Sequence, residues 1–266
     1  MLPWALGHGL SFKEGEGPVL PRLHDAQGVA ALDPACVPAA IAPILETVQR
    51  SKAGLGPETA LIGFAGSPFT VACYMVEGGG SKEFALIRRM AHAEPALLDA
   101  LIDVLVDATI LYVSAQIEAG ADVAMLFDSW SGVLSPLLFQ RHVIRPTKRI
   151  VDGLRARHPG VPIIGFPRLA GVQVGAYAVG TGVDAVALDT GTDLRLAAAL
   201  MPSGVATQGN LDPLALVAGG PALAAEVQHV LHAIRGRPHI FILGHGITPQ
   251  TPPEHVADLV ALVRAA

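Results

Sequence analysis

Six short apolar segments recur along the chain, and each leads through a turn of Gly, Pro or polar residues into a stretch with helical periodicity. Segments of this length and composition predict β-strands that are buried on both faces. Because a helix follows each segment, we expect the strands to run parallel in one sheet that helices cover. The predicted strands are residues 60–64, 123–127, 162–166, 185–188, 204–207 and 239–243, and the predicted helices are residues 34–51, 94–119, 136–157, 193–200, 212–233 and 253–264.

Polar side chains follow nearly every predicted strand, which is how a (β/α)₈ barrel builds its active site. A dinucleotide-binding sheet is not favoured, since no Gly-x-Gly-x-x-Gly motif follows a strand. Only six strand–helix units can be counted, whereas a closed barrel of this type has eight. We therefore predict an α/β fold of TIM-barrel type with about six of its eight units, in a single domain over residues 1–266. Residues 10–20 predict a short hairpin around Glu14-Gly-Glu-Gly17.

The composition argues against several classes of partner. The net charge is −5 and charged residues make up 15% of the chain, so neither nucleic acid nor an anionic membrane surface is an expected partner. With only Cys36 and Cys73, a disulfide framework is not expected and a cytoplasmic location is favoured. Residues 1–10 lack the features of a signal peptide. Aspartates spaced four apart from Asp99 to Asp107 make the most apolar helix amphipathic rather than transmembrane.

Four motifs surround the ends of these strands. They are Gly63-Phe-Ala-Gly-Ser-Pro-Phe-Thr70 running into Tyr74-Met-Val-Glu-Gly-Gly79, Leu126-Phe-Asp-Ser-Trp-Ser-Gly132, Gln208-Gly-Asn-Leu-Asp-Pro213, and Leu243-Gly-His-Gly246 followed by Thr251-Pro-Pro-Glu-His255. Their order and spacing resemble the uroporphyrinogen decarboxylase family over essentially the whole chain. The resemblance implies a (β/α)₈ barrel, usually a homodimer, that decarboxylates the four acetate side chains of uroporphyrinogen III to give coproporphyrinogen III in haem biosynthesis.

The resemblance also implies a reaction that uses no metal or organic cofactor. A protonated pyrrole of the substrate accepts the electrons released as CO₂ leaves, so the tetrapyrrole is its own electron sink. The protein then has to hold many carboxylates and stabilise charge on the ring through oriented polar groups. The expected partners are the tetrapyrrole polycarboxylate and a second copy of the chain.

Three residues match the family's substrate-binding positions. By resemblance, Tyr74 hydrogen-bonds a substrate side chain, Ser129 contacts a carboxylate, and His245 helps to anchor the substrate. Their alternative roles are structural: core packing for Tyr74, a helix cap for Ser129 and a turn for His245. Arg168 is a further candidate, because a guanidinium at a strand end can bind a carboxylate through two hydrogen bonds. Its alternative is a solvated loop arginine.

The resemblance assigns no catalytic residue within the chain. The family's catalytic aspartate and a substrate-clamping Arg-Gln-Ala-Gly-Arg motif are expected upstream of Met1, with Ala5-Leu-Gly7 continuing a strand. Asp128 and Asp189 both end strands, but we expect loop or cap roles for them rather than replacement of that aspartate. His8 is expected to be incidental.

Two other functions stay open. An N-terminally truncated, non-catalytic homologue would keep the fold for binding or dimerisation, and the expected position of the aspartate favours it. A barrel methyltransferase of the zinc-dependent kind would need His and Cys ligands at strand ends. The strand ending at Phe166-Pro-Arg168 offers neither residue, and Leu243-Gly-His-Gly246 has no Cys beside it.

Overall fold

The computed structural model describes residues 1–13 and 17–266. Its centre is a sheet of six parallel strands that lie side by side in chain order, and an antiparallel hairpin of two strands precedes it. The prediction of six strand–helix units in a TIM-type parallel sheet is confirmed. The strands are β1 (Ser11–Lys13), β2 (Gly17–Val19), β3 (Ile62–Gly66), β4 (Val123–Asp128), β5 (Ile163–Pro167), β6 (Ala185–Ala187), β7 (Ala206–Leu211) and β8 (His239–Leu243).

Helices connect consecutive strands of the sheet, as parallel pairing requires. A π-helical turn at Gln140–Ile144 joins α8 to α9, and three short 3₁₀ turns lie at Pro34–Cys36, Ser131–Val133 and Gly171–Gln173. The helices are α1 (Leu2–Ala5), α2 (Ala26–Ala30), α3 (Val37–Ala40), α4 (Ala42–Gly54), α5 (Pro68–Glu77), α6 (Ala85–Ala93), α7 (Pro95–Glu118), α8 (Pro136–Phe139), α9 (Arg145–Arg157), α10 (Val174–Thr181), α11 (Leu194–Leu200), α12 (Pro213–Ala218), α13 (Gly220–Ala233) and α14 (Pro253–Arg264).

The sheet is apolar on both faces, which is why its strands read as continuous apolar runs. Successive side chains of a strand point to opposite faces. On β4, Leu126 belongs to the large core beneath the helices, whereas Met125 belongs to a separate apolar cluster on the inner face. The inner face carries a row of aromatic rings: Phe127 meets Phe64 at 5.8 Å and Phe166 at 5.9 Å between ring centroids, both edge to face. This row supports the turns at the carboxyl ends of β3, β4 and β5.

Two local predictions are wrong. Residues 2–5 form a helix rather than a strand continuing into Ala5-Leu-Gly7, and Pro3 stands in its first turn, where a missing amide hydrogen has no cost. Strand β7 was predicted over residues 204–207, but it runs from Ala206 to Leu211, because Asn210 still pairs with Ile242 of the next strand. The flanks of the predicted hairpin pair as expected, while its tip, residues 14–16, lies outside the described residues.

In the aspartate stripe of α7, Asp103 and Asp107 are exposed and Asp99 is half-buried, and the stripe is not simply solvated. Asp99 pairs with Arg141, and Asp103 pairs with Arg149 of α9. Exposed ion pairs of this kind contribute little to stability, so we take them as fixing the packing of α9 on α7. Within residues 1–13 and 17–266, no helix combines the length and the apolar character needed to cross a bilayer.

Candidate active site

The carboxyl ends of the six parallel strands meet at one edge of the sheet, and hydrogen bonds tie the turns that follow them to one another. The amide of Arg168 donates to the carbonyl of Asp128 at 3.1 Å, and the hydroxyl of Ser131 donates to the carbonyl of Arg168 at 3.0 Å. The carboxylate of Asp189 accepts from the amide of Leu169 at 2.7 Å. The turns after β4, β5 and β6 therefore form one connected rim, which we call the strand-end rim.

Tyr74 lies on α5, the helix that follows β3, and it is half-buried beside a cavity of about 390 Å³. Its ring packs edge to face against Trp130, with 6.3 Å between the centroids. Phe84 packs on the same indole at 4.8 Å. Because Trp130 directly follows Ser129, the structure brings Tyr74 and the Ser129 turn to the same end of the rim.

Ser129 is half-buried in the turn that follows β4. It does not cap a helix: the 3₁₀ turn that follows begins after Trp130 and has no side-chain cap. Asp128 is not that cap either, because it is the last residue of β4, is fully buried and accepts a 2.7 Å hydrogen bond from the hydroxyl of Thr70. The cap alternatives for Ser129 and Asp128 are therefore wrong.

The carboxyl group of Asp128 has an unusual electrostatic environment. Burial raises its pKa to about 7, and the hydrogen bond from Thr70 opposes that rise. Its second oxygen, Oδ2, is buried without a hydrogen-bond partner in the described part of the chain. The group is thus poised to change its charge near neutral pH, in contact with the turn that carries Ser129.

This shift predicts how stability depends on pH. The pKa of Asp128 is higher in the folded than in the unfolded state, so the group favours folding below its ordinary value of 3.8 and loses that contribution as pH rises to about 7. An Asp128→Asn variant lacks this loss. The difference between its free energy of unfolding and that of the parent should therefore rise in its favour by about 1.4 kcal/mol per pH unit across that range. Urea unfolding of the variant and the parent at pH 5 and pH 8 measures this difference. If the variant differs from the parent by the same free energy of unfolding at both pH values, the raised pKa of Asp128 is contradicted.

Arg168 follows β5, and its backbone is fixed on both sides by the rim. Its side chain is half-buried, and its Nε atom is buried without a partner. Among residues 1–13 and 17–266, no carboxylate forms an ion pair with its guanidinium. A solvated loop arginine would not bury Nε, so the arrangement favours a group held ready for a carboxylate from outside the chain.

The neighbouring turn explains why this arginine keeps its place. Leu169 adopts a left-handed backbone conformation with φ of 60°. A Cβ on Gly132 would lie 2.5 Å from the carbonyl oxygen of Leu169, so only glycine fits there. Asp189 holds the same turn through the amide of Leu169, and its other carboxylate oxygen accepts from the amide of Gly191 at 3.1 Å. Asp189 is therefore a loop residue, as predicted.

His245 follows β8, and its side chain is exposed. The preceding Gly244 fits closely against the turn after β6, because a Cβ there would lie 2.4 Å from the amide nitrogen of Thr190. Strand order places His245 four strands away from Ser129, a separation of about 19 Å across the sheet at 4.8 Å per strand. The structure thus puts the predicted site residues on one edge but does not bring His245 into contact with Tyr74 or Ser129. His8 bonds the carbonyl of Pro21 at 2.7 Å and lies outside this rim.

Three polar residues of this region were not predicted. Thr70 links α5 to β4, as described above. Gln208 is buried on β7, where its amide nitrogen lies 3.6 Å from the sulfur of Met125 and its oxygen has no partner among the described residues. Asn210 donates to the carbonyls of Asp189 and Thr192 at 3.1 and 2.7 Å. The alternation of Gln208 and Asn210 along one strand was the available signal, and the misplaced boundary of β7 hid it.

The residues that bind metals do not gather at the strand ends. In the described ranges, no three side chains of His, Cys, Asp or Glu come close enough to share a metal ion. Cys36 is exposed in a 3₁₀ turn, and Cys73 is buried in α5, so neither thiol lies at the end of a strand.

The chain is similar to proteins of one family along its whole length. A family model for uroporphyrinogen decarboxylase (URO-D) matches residues 1–266. The uroporphyrinogen decarboxylase of Granulibacter bethesdensis is 58% identical, in an alignment that covers 99% of this chain and 78% of that protein. The uroporphyrinogen decarboxylase of Acidiphilium cryptum is 57% identical, with coverage of 100% and 74%.

Among solved structures, a methyltransferase from Methanosarcina mazei superposes with a TM-score of 0.76, covering 99% of this chain and 77% of that protein. At 20% sequence identity, this likeness concerns the fold alone. The chain belongs to the uroporphyrinogen decarboxylase family.

Proposed function

We propose that the protein decarboxylates the four acetate side chains of uroporphyrinogen III and yields coproporphyrinogen III. The observation that carries the proposal is the 58% identity to a uroporphyrinogen decarboxylase over 99% of the chain. The geometry supports it, because the motif residues lie around the carboxyl ends of the strands, where a barrel of this type binds its substrate.

The rim suits a broad ligand with carboxylates on all sides. Tyr74 and Ser129 lie at one end of it and offer hydroxyl donors. Arg168 lies between them and His245 in the strand order, and its guanidinium is free of any ion pair within the described residues. These anchors would hold different side chains of one macrocycle at the same time. A small substrate bound at the Tyr74 and Ser129 end would not reach His245, which lies four strands away.

The chemistry we propose needs no metal or organic cofactor. The bond between a carboxyl carbon and its methylene carbon breaks, and its electron pair moves into a protonated pyrrole ring as CO₂ leaves. A proton then adds to the methylene carbon, which becomes a methyl group, and loss of the proton that the ring had gained restores the pyrrole. The protein's part is to orient the ring and to place dipoles where charge develops.

Two substitutions test the assignment of the binding residues. Tyr74→Phe and His245→Asn each remove a hydrogen bond to a charged substrate group, a loss of about 1.5–3 kcal/mol. We expect kcat/KM to fall roughly 10- to 100-fold for each, with the urea unfolding curve unchanged. His229→Asn, at an exposed position on α13, is the control for the histidine variant. Kinetics equal to those of the parent in both variants would remove these residues from the site.

The quaternary structure is also a proposal: we expect a homodimer in the cytoplasm, with residues 1–266 as one domain. Apolar side chains of Val172, Val179, Leu196 and Leu200 are exposed on neighbouring elements around α10 and α11, which suits burial against a second copy. The two cysteines are free, in keeping with a reducing compartment. The continuous six-stranded parallel sheet and a core that extends from Leu2 to Val230 support a single domain.

The non-catalytic alternative is distinguished from this proposal by whether CO₂ is released. Such a homologue would bind the tetrapyrrole or a partner but release no CO₂ from uroporphyrinogen. The methyltransferase alternative draws support from the fold of its structural neighbour only, and neither Cys36 nor Cys73 stands where a zinc ligand would be needed.

A further inference from the structure

We propose that Thr70 and Asp128 form a positioning pair that fixes the geometry between Tyr74 and Ser129, the two candidate substrate-binding residues at one end of the strand-end rim. This inference rests on the proposed function of that rim. Thr70 is 6% exposed and Asp128 is 0% exposed, so the pair acts through the residues that it holds.

The hydroxyl group of Thr70 makes two hydrogen bonds at once. It donates to Oδ1 of Asp128 at 2.7 Å and accepts from the backbone amide of Trp130 at 3.2 Å. A hydroxyl has one proton and two lone pairs, so both bonds are compatible. Asp128 precedes Ser129 and Trp130 follows it. One side chain of α5 thus clamps the Ser129 turn on both sides.

The same helix carries Tyr74. Thr70 and Tyr74 are four residues apart on α5 and therefore share one face of that helix. The ring of Tyr74 in turn contacts the indole of Trp130. A shift of Thr70 against β4 would consequently change the separation of the Tyr74 hydroxyl from Ser129.

A second hydrogen bond attaches α5 to β4 apart from this clamp. The amide of Ser67, at the start of α5, donates to the carbonyl of Phe127 at 2.8 Å and attaches the helix to β4 independently. The hydrogen bonds of Thr70 reach the residues on either side of Ser129, so the clamp lies closer to the proposed substrate than the bond of Ser67 does. Its loss should therefore loosen the site before it unfolds the protein.

Among the described residues, Thr70 is the one whose side chain hydrogen-bonds the carboxylate of Asp128. The charge of Asp128 acts on two buried ionisable groups, the thiol of Cys73 on α5 and the hydroxyl of Tyr177 on α10, and the charge of Glu77 acts on Cys73 as well. None of these groups can carry a positive charge. Burial raises the pKa of Cys73 and of Tyr177, so both stay neutral around pH 7.

The test compares two substitutions at Thr70. Thr70→Val keeps the branched shape but removes the hydroxyl, whereas Thr70→Ser keeps the hydroxyl. We expect Thr70→Val to lower kcat/KM for uroporphyrinogen at least tenfold, with KM raised, and Thr70→Ser to stay within threefold of the parent. If Thr70→Val matches the parent, or if both variants are equally impaired, the positioning role is wrong.

A second variant covers the case in which Thr70→Val does not fold. Asp128→Asn keeps an oxygen that accepts the Thr70 hydrogen bond while removing the charge. We expect its kcat/KM near pH 7 to stay within threefold of the parent and to vary less with pH. A loss as large as that expected for Thr70→Val would overturn the proposal, because it would show that charge rather than the hydrogen bond matters.

The indole of Trp130 gives a readout that does not need turnover. The chain has two tryptophans, so Trp4→Phe leaves Trp130 as the one emitter. In that background we expect Thr70→Val to shift the emission of Trp130 and increase its quenching by acrylamide, and Thr70→Ser to restore both. If the parent does not convert uroporphyrinogen, the proposed function fails while this readout still tests the pair. Identical emission in both Thr70 variants and the parent would overturn the pair itself.

Discussion

Gly244→Ala is expected to lower kcat/KM for uroporphyrinogen by about a hundredfold while a cooperative unfolding transition is kept. A Cβ at this position would lie 2.4 Å from the amide nitrogen of Thr190 and 2.9 Å from the carbonyl oxygen of Asn210. Both atoms belong to the backbone, so the end of β8 has to move instead. His245 moves with it, and a displacement of about 1 Å can cost a factor of about 100 in rate.

The second glycine of the same motif supplies the control. A Cβ on Gly246 would meet no atom within 4 Å. We therefore expect Gly246→Ala to retain kcat/KM within twofold of the parent. Steady-state kinetics of the two variants, with unfolding curves beside them, separate displacement of His245 from a general intolerance of the Gly-His-Gly turn. Equal losses in both would argue against the packing explanation.

Gly165→Ala is expected to be the most destabilising of the substitutions considered. The Cβ would lie 2.3 Å from the phenolic oxygen of Tyr177 and 2.6 Å from a ring carbon. Tyr177 is fully buried and packs edge to face against Phe139, with centroids 6.4 Å apart, so its ring has little room to withdraw. Overpacking of this kind costs typically about 1–3 kcal/mol. We expect a loss of stability at the upper end of this range, because the added Cβ meets a rigid aromatic ring.

Urea unfolding of Gly165→Ala beside Gly204→Ala measures this effect. Gly204 is exposed, and a Cβ there would meet nothing within 4 Å. The control should stay within about 0.5 kcal/mol of the parent. A Gly165→Ala protein as stable as the control would mean that the layer between β5 and α10 is looser than described.

The sheet was largely predictable because its strands are apolar on both faces, although side chains of the edge strands β3 and β8 are exposed on one face. Strands β4, β5 and β8 fall within about one residue of the predicted runs, since apolar residues continue to their ends. Strand β7 was misplaced because its second half, with Gln208 and Asn210, carries polar side chains on a face that points into the barrel. Helices α5 and α10 were missed for a related reason: α5 is buried nearly all round and α10 is rich in small residues, so neither has a polar stripe.

The location of a site residue was predictable only where the residue directly follows a predicted strand. Ser129, Arg168 and His245 follow strands, and parallel strands end at one edge of the sheet, so their place at that edge could be predicted. The bond between Thr70 and Asp128 joins residues 58 positions apart, and no local pattern indicates it. Tyr74 lies inside a helix, and only the resemblance of its motif distinguished it from a packing residue.

The most direct test of the central claim is the reaction itself. Protein isolated from its own cells is incubated without oxygen with uroporphyrinogen III, and the products are oxidised to porphyrins and separated by their number of carboxyl groups. We expect the octacarboxylate to decline in steps to the tetracarboxylate coproporphyrin, with one CO₂ released at each step. An unchanged octacarboxylate, with protein that is folded by circular dichroism, would contradict the account and favour the non-catalytic homologue.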